Sequence, residues 1–247
     1  MNISEEYRNA WESFWRDTSD APGEAIWDSD PSLTAVPHSE LLLPFADTTR
    51  TIVDLGCGNG TQTRYLATRF ARAVGVDLSH AAVEHARRAA ADDGGDEAVE
   101  FEQLDLTDAE AVRALHSRVG DSHVYMRAVI HQSEPQARAL VAGAVAEIIG
   151  SGGRAFVVEL TSGSRQVLRR AAADPDGPPP KLRRVFHHGL KPAGADDEEI
   201  PKLLREAGLD ILATGETTLP QTEYLADGTR IDLPARWFVL AGAGAAG

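Results

Sequence analysis

Apolar residues near the start of the chain recur at helical spacing, at Tyr7, Trp11, Phe14 and Trp15, which predicts a helix ahead of any strand. Between Pro22 and Pro37 the prolines and polar residues are too many for a continuous helix, so a loop is expected, leading into a short helix near Ser39 to Leu43. From Thr51 short apolar runs alternate with longer stretches of helical period, the pattern of βαβ units in a mostly parallel sheet. Strands are expected at Thr51 to Leu55, Ala73 to Asp77, Val99 to Leu104, His123 to Met126 and Arg154 to Leu160. Helices fill the gaps. Ser79 caps one through Ala91, Asp108 one through Ser117, and Ser133, with Pro135 in the first turn, one through Ile149. Gly150, Gly152 and Gly153 end that helix and lead into the fifth strand. Asp196, Asp197, Glu198 and Glu199 sit where a helix N-terminus favours negative charge, and Gly208 ends that helix. A strand from Leu209 to Gly215, a loop with Pro220, Asp227 and Gly228, and a last antiparallel strand from Arg236 to Ala241 complete the pattern. The tail Gly242 to Gly247 is expected to be disordered.

A chain of 247 residues supports one sizeable core. The expected organisation is an N-terminal cap or lid over residues 1–50 and an α/β domain over 51–247, with a basic insertion at about 161–195. No apolar run is long enough to cross a bilayer, and Glu5 and Glu6 stand where a secretion signal would be basic, so a cytoplasmic protein without a membrane partner is expected. The net charge of -14 would repel a phosphate backbone, which argues against nucleic acid as partner. Cys57 is the single cysteine and offers neither a disulfide nor a thiolate cluster, and no metal is expected. One stretch departs from the acidic balance. Arg165, Arg169, Arg170, Lys181, Arg183, Arg184 and Lys191 face only Asp174 and Asp176 as acids. It is either a solvated basic loop or an element whose Arg183 or Arg184 attracts an acidic or phenolic ligand.

The strongest local signal is Val53-Asp54-Leu55-Gly56-Cys57-Gly58-Asn59-Gly60-Thr61, an apolar strand running into a glycine turn and then a helix. Glycines let the backbone approach a ligand closely, and the free N–H groups of the following helix favour a carboxylate or phosphate. About twenty residues on, Asp77 ends the second strand, where an acid bonds a ribose diol in folds of this kind. Asp105 ends the third strand on the same edge. Cys57 reads as a small residue packed in the turn rather than a nucleophile.

Asp54 to Gly60, Gly75-Val76-Asp77 and Asp105-Leu106 resemble the motifs of the class I S-adenosylmethionine-dependent methyltransferases. The resemblance runs from about Thr51 to Gly215 and includes the Gly152-Gly153-Arg154 approach to the fifth strand. It implies a Rossmann-like α/β fold: a seven-stranded, mostly parallel sheet with helices on both faces, a last antiparallel strand and the N-terminal helical cap. The implied cofactor is S-adenosyl-L-methionine, its methionine end over Asp54, Gly56, Cys57, Gly58, Asn59 and Gly60. Asp77 would hold the ribose, and Asp105 with Leu78 and Leu106 would flank adenine. The implied activity is methyl transfer to a small molecule, a natural product or other secondary metabolite among the candidates.

Other uses of the fold remain open. A protein can bind this cofactor for a reaction other than methyl transfer. A nicotinamide oxidoreductase would require Gly-x-Gly-x-x-Gly where this chain has Gly-x-Gly-x-Gly. The acceptor is expected beyond the fourth strand, near Arg127 and His131. Arg127-Ala128-Val129-Ile130-His131 is similar to an Arg-x-x-Leu-His segment of small-molecule methyltransferases, with isoleucine for leucine, and Arg127 is placed with the cofactor-binding residues. His131 is the candidate general base, with Glu159, His187 and His188 as alternatives. Tyr7, Trp11 and Trp15 are read as a lid that excludes water, or as a helix simply packed on the domain.

Overall fold

Side chains alternate across a strand, so Val53 and Leu55 of the first strand face one way and Ile52 the other, and each set needs its own cover of helices. The computed structural model describes residues 3–175, 177–190 and 194–244. The chain order is α1 (Glu5–Asp17), α2 (Ala35–Leu42), β1 (Thr51–Leu55), α3 (Thr61–Ala67), β2 (Arg72–Asp77), α4 (His80–Asp92), β3 (Val99–Gln103) and α5 (Ala109–Val119). It continues with β4 (His123–Arg127), α6 (Arg138–Ile149), β5 (Ala155–Leu160), α7 (Gly163–Ala172), α8 (Pro180–His187), α9 (Glu199–Glu206), β6 (Leu209–Tyr224) and β7 (Arg230–Gly242).

The strands form a seven-stranded sheet in the order β3-β2-β1-β4-β5-β7-β6. The pairs from β3 to β5 are parallel, and β7 runs antiparallel to both β5 and β6. One core packs Val53, Leu55, Val124, Met126 and Val157 against Val112 and Leu115 of α5, Val145 and Ile148 of α6, and Leu204 of α9. The opposite core packs Ile52, Ala73, Tyr125 and Phe156 against Leu42 of α2 and Leu66 of α3. Helices thus cover both faces. The chain builds outward from β1 in one direction through β2 and β3, and in the other through β4 and β5. The crevice at the carboxyl ends of β1 and β4 is therefore the switch point where ligands of such sheets bind.

Several boundaries differ from the sequence reading. Pro220 lies inside β6, opposite Asp232, and not in a loop. β6 is an edge strand, where a missing N–H need not break a ladder bond. The Ser133–Pro135 segment does not open a helix, since α6 begins only at Arg138. The Ser133 hydroxyl donates back to Val129 O, and the Arg138 guanidinium holds the carbonyls of Ser133 and His131. Before β1 the expected loop is partly helical: Pro37 falls in the first turn of α2, where its missing N–H has no helical acceptor to lose. Gly242 ends β7, while residues 245–247 of the tail, together with Asp176 and Lys191, lie outside the described residues.

Candidate functional site

The turn after β1 is fixed by backbone bonds to its neighbour strand: the N–H groups of Gly56 and Cys57 donate to Val76 O at 2.8 and 3.0 Å. Gly58 has φ +54°, and a β-carbon there would lie 2.8 Å from the Trp15 ring. Gly60 caps α3 in the left-handed region at φ +73°, and a β-carbon there would meet the Phe101 ring at 2.6 Å. Glycine at these two positions is a steric requirement. Asn59 is held from the N-terminal side, its Nδ2 donating to Asp28 Oδ2 at 2.7 Å.

Asp77 accepts the Gly58 N–H on Oδ2 and the Ser79 N–H on Oδ1, both at 2.9 Å. Burial pushes its carboxyl up to about 6, against the opposing pull of those N–H donors. Asp105 receives Arg8 of α1 on Oδ2 at 2.7 Å, while Thr107 donates to its Oδ1 through both N–H and hydroxyl. Cys57 is buried against Val83, Ala86 and Phe101, and burial raises its thiol well above the usual range, so it stays a neutral packing group. Asp54 is buried and accepts the Thr63 hydroxyl at 2.6 Å, burial raising it also to about 6.

These elements open onto a cavity of about 1520 Å³, counted with its mouth. Gly56, Cys57, Gly58 and Asn59 form its floor, with Asp77, Leu78, Asp105 and Leu106 along one side. Tyr7, Trp11 and Trp15 of α1 line it as well. Asp54 and Gly60, expected to touch cofactor, are not among the lining residues; they shape the turn from behind. The α1 helix reaches across the site through Arg8 to Asp105, Glu12 to the Ser79 hydroxyl, and Ser4 to Glu134. Trp11 and Phe14 pack on Trp27, with ring centroids at 5.4 and 4.9 Å.

Beyond β4 the chain turns through Ala128, whose φ of +62° puts a non-glycine residue in the left-handed region. This costs about 1–2 kcal/mol, a strain that occurs where surrounding structure fixes a site. The turn aims the N–H groups of Val129, Ile130 and His131 at the buried Glu159 carboxylate, at 3.0, 2.8 and 3.0 Å. His131 Nδ1 lies 2.6 Å from Glu159 Oε2. His131 lines the cavity, and with Nδ1 engaged its Nε2 is the ring nitrogen available to a ligand. Arg127 also lines the cavity and donates to Trp27 O at 2.8 Å.

The structure corrects the expectation for Arg183 and Arg184. Neither lines the cavity: Arg183 is exposed, and Arg184 pairs with Glu24. α8 turns Leu182 and Val185 inward instead, and α7 adds Leu168. His187 is exposed, and His188 Nδ1 lies 2.9 Å from the Ser13 hydroxyl, so neither competes with His131 at the cavity wall. Sequence reasoning missed Asp28, Gln62, Thr107 and Ser133, which line the cavity, and these inward apolar residues. Leu168 with Ala171, and Leu182 with Val185, show the three-residue spacing that would have revealed a buried face.

Residues 52–153 match the methyltransferase domain family. A search of curated proteins finds no match. Among solved structures, a SAM-dependent methyltransferase from Anabaena variabilis is 26% identical with a TM-score of 0.87, the alignment covering 98% of this chain and 97% of that one. A geranyl diphosphate methyltransferase, bound to geranyl diphosphate and sinefungin, shares the fold at 14% identity and TM-score 0.61, over 95% of this chain and 98% of that one. A [4+2]-cyclase does so at 13% identity and TM-score 0.58, over 98% of both chains. Residues 52–153 therefore match a methyltransferase domain, in a chain that is similar over its length to a SAM-dependent methyltransferase.

Proposed function

We propose that this protein transfers the methyl group of S-adenosylmethionine to a small molecule held in the same cavity. The observation that carries the reading is the His131–Glu159 pair on the wall of a cavity that also contains the glycine turn, Asp77 and Asp105.

The residues present suit the cofactor. A carboxylate at Asp77 accepts from both hydroxyls of a ribose. Leu78 and Leu106 offer apolar faces to a purine beside Asp105. The methionine end would lie along the turn beside Asn59 and Arg127, which line the cavity with Gly56 and Gly58. When bound, the cofactor supplies an electrophilic methyl group on a sulfonium. The chain's part is to hold the acceptor in line, an effect on the order of 7–11 kcal/mol. For a hydroxyl acceptor, His131 Nε2 takes the proton, and Glu159 fixes the ring tautomer by accepting from Nδ1–H. α1, with Tyr7, Trp11 and Trp15, acts as the lid that excludes water, and Leu168 of α7 with Leu182 and Val185 of α8 forms the far wall of the acceptor site.

Incubation with methyl-labelled cofactor and a panel of small phenols, thiols and amines, read by product mass, tests the proposal. A labelled product with formation of S-adenosylhomocysteine is expected. Cofactor binding without transfer across the panel would favour a non-transfer role.

A further inference from the structure

The walls of the cavity differ according to which half of the sheet supplies them. On the β1–β3 side apolar residues such as Leu78, Leu104 and Leu106 alternate with polar ones, Asn59, Thr61, Gln62, Asp77, Asp105 and Thr107; on the β5–β7–β6 side the lining is Leu160, Leu168, Leu182, Val185, Leu219 and Leu233 with Gln221. The six apolar residues come from β5, α7, α8, β6 and β7. The polar side chain on this side is Gln221, which is buried, and its Nε2 already donates to Leu219 O at 2.9 Å.

The cations of α7 and α8 do not offset this. Lys181 Nζ is spent on the carbonyls of Gly23 and Thr222, at 2.6 and 2.7 Å. Arg165 donates to Ala195 O at 2.9 Å, and Arg184 pairs with Glu24. Arg169, Arg170 and Arg183 are exposed, and none of these side chains lines the cavity. An anionic group entering this chamber would lose its hydration, and the cation on the cavity wall, Arg127, lies at the end of β4 and is engaged by Trp27 O. A hydrocarbon body would gain from the same surface.

Resting on the proposed function, we infer that the acceptor of this site is an uncharged molecule with a hydrocarbon body. Its alkyl or alicyclic part occupies the chamber between α7, α8 and the β6–β7 hairpin, and its nucleophilic atom points back toward His131. This replaces the acidic acceptor suggested by the basic residues, whose charge lies on the outer face of the same helices.

The test is a calorimetric titration of 4-alkylphenols, from ethyl to hexyl, into the protein loaded with S-adenosylhomocysteine. One molecule should bind per chain, with affinity rising about fourfold per added methylene. An analogue ending the same chain in a carboxylate should bind at least about a hundredfold more weakly. Leu168→Trp, and independently Leu182→Phe, fill the chamber without adding charge. Each should weaken the hexyl member at least about tenfold and leave S-adenosylhomocysteine affinity unchanged. No binding of the phenols, affinities flat along the series, equal binding of the carboxylate, or indifference to both variants would overturn the inference. Loading with S-adenosylhomocysteine is measured first. Failure there refutes the cofactor reading alone, because the same series titrated into the protein without it still reads the chamber.

Discussion

Replacing Glu159 by glutamine removes a charge from a site where all available acceptor positions are engaged. The side chain is 1% exposed. Its Oε1 accepts the N–H groups of Val129 and Ile130, and its Oε2 the N–H and Nδ1–H of His131. An amide has one acceptor oxygen, so in either orientation its NH₂ group faces two donors. Two charge-assisted bonds are lost, at about 1.5–3 kcal/mol each, giving a destabilisation of about 3–6 kcal/mol. For a chain of this size each kcal/mol shifts the melting temperature by about 2–4 °C, so the lower bound is a fall of about 6 °C. Urea denaturation of wild type and Glu159→Gln, with the slope checked for constancy, measures the difference. A loss below about 1 kcal/mol would show that the strained turn at Ala128 holds His131 without the carboxylate and would refute the reasoning.

The other expectations concern ligands. His131→Asn should lower turnover on a hydroxyl acceptor by about 10² to 10⁴ with cofactor affinity unchanged, whereas near-normal turnover would show that positioning suffices. Because burial raises the Asp77 carboxyl to about 6 and ribose hydroxyls favour its ionised form, cofactor binding should weaken as pH falls below about 6, by up to about tenfold per unit. Calorimetry from pH 5 to 8 checks this, and a flat profile would contradict it. S-adenosylhomocysteine should protect amides of residues 3–20 from hydrogen exchange. Arg8→Ala, which removes a partly exposed ion pair to Asp105, should speed ligand release by no more than about fivefold in stopped-flow chase experiments. Unchanged exchange over residues 3–20 would leave α1 as packing.

The parallel half of the fold was legible because its signals are local. Apolar runs at Thr51–Leu55 and His123–Arg127 are followed at once by turn residues, and Ser79 and Asp108 cap helices through their own side chains. The β6–β7 hairpin was read short because an edge strand has a solvent side. Its polar alternation at Thr214, Glu216 and Thr218 and the proline at 220 resemble a loop when pairing is unknown. The glycine turn and Asp77 were found by spacing. Asp28 and Gln62 were not, because Asp28 reaches Asn59, and Gln62 the Ser29 carbonyl, only through long-range contacts. The basic segment misled for a different reason. Charge dominates its composition, while the side that meets the cavity is carried by a few leucines and a valine whose period shows only within each short helix.

The central claim, that the glycine turn and Asp77 hold S-adenosylmethionine, is tested most directly by isothermal titration of S-adenosylhomocysteine into wild type and Asp77→Ala at neutral pH. The account predicts one site per chain, weakened roughly tenfold to a hundredfold by the substitution, as expected for losing a charged hydrogen-bond acceptor worth about 1.5–3 kcal/mol. An absence of binding to wild type, an unaltered affinity in Asp77→Ala, or preferential binding of a nicotinamide dinucleotide would contradict it.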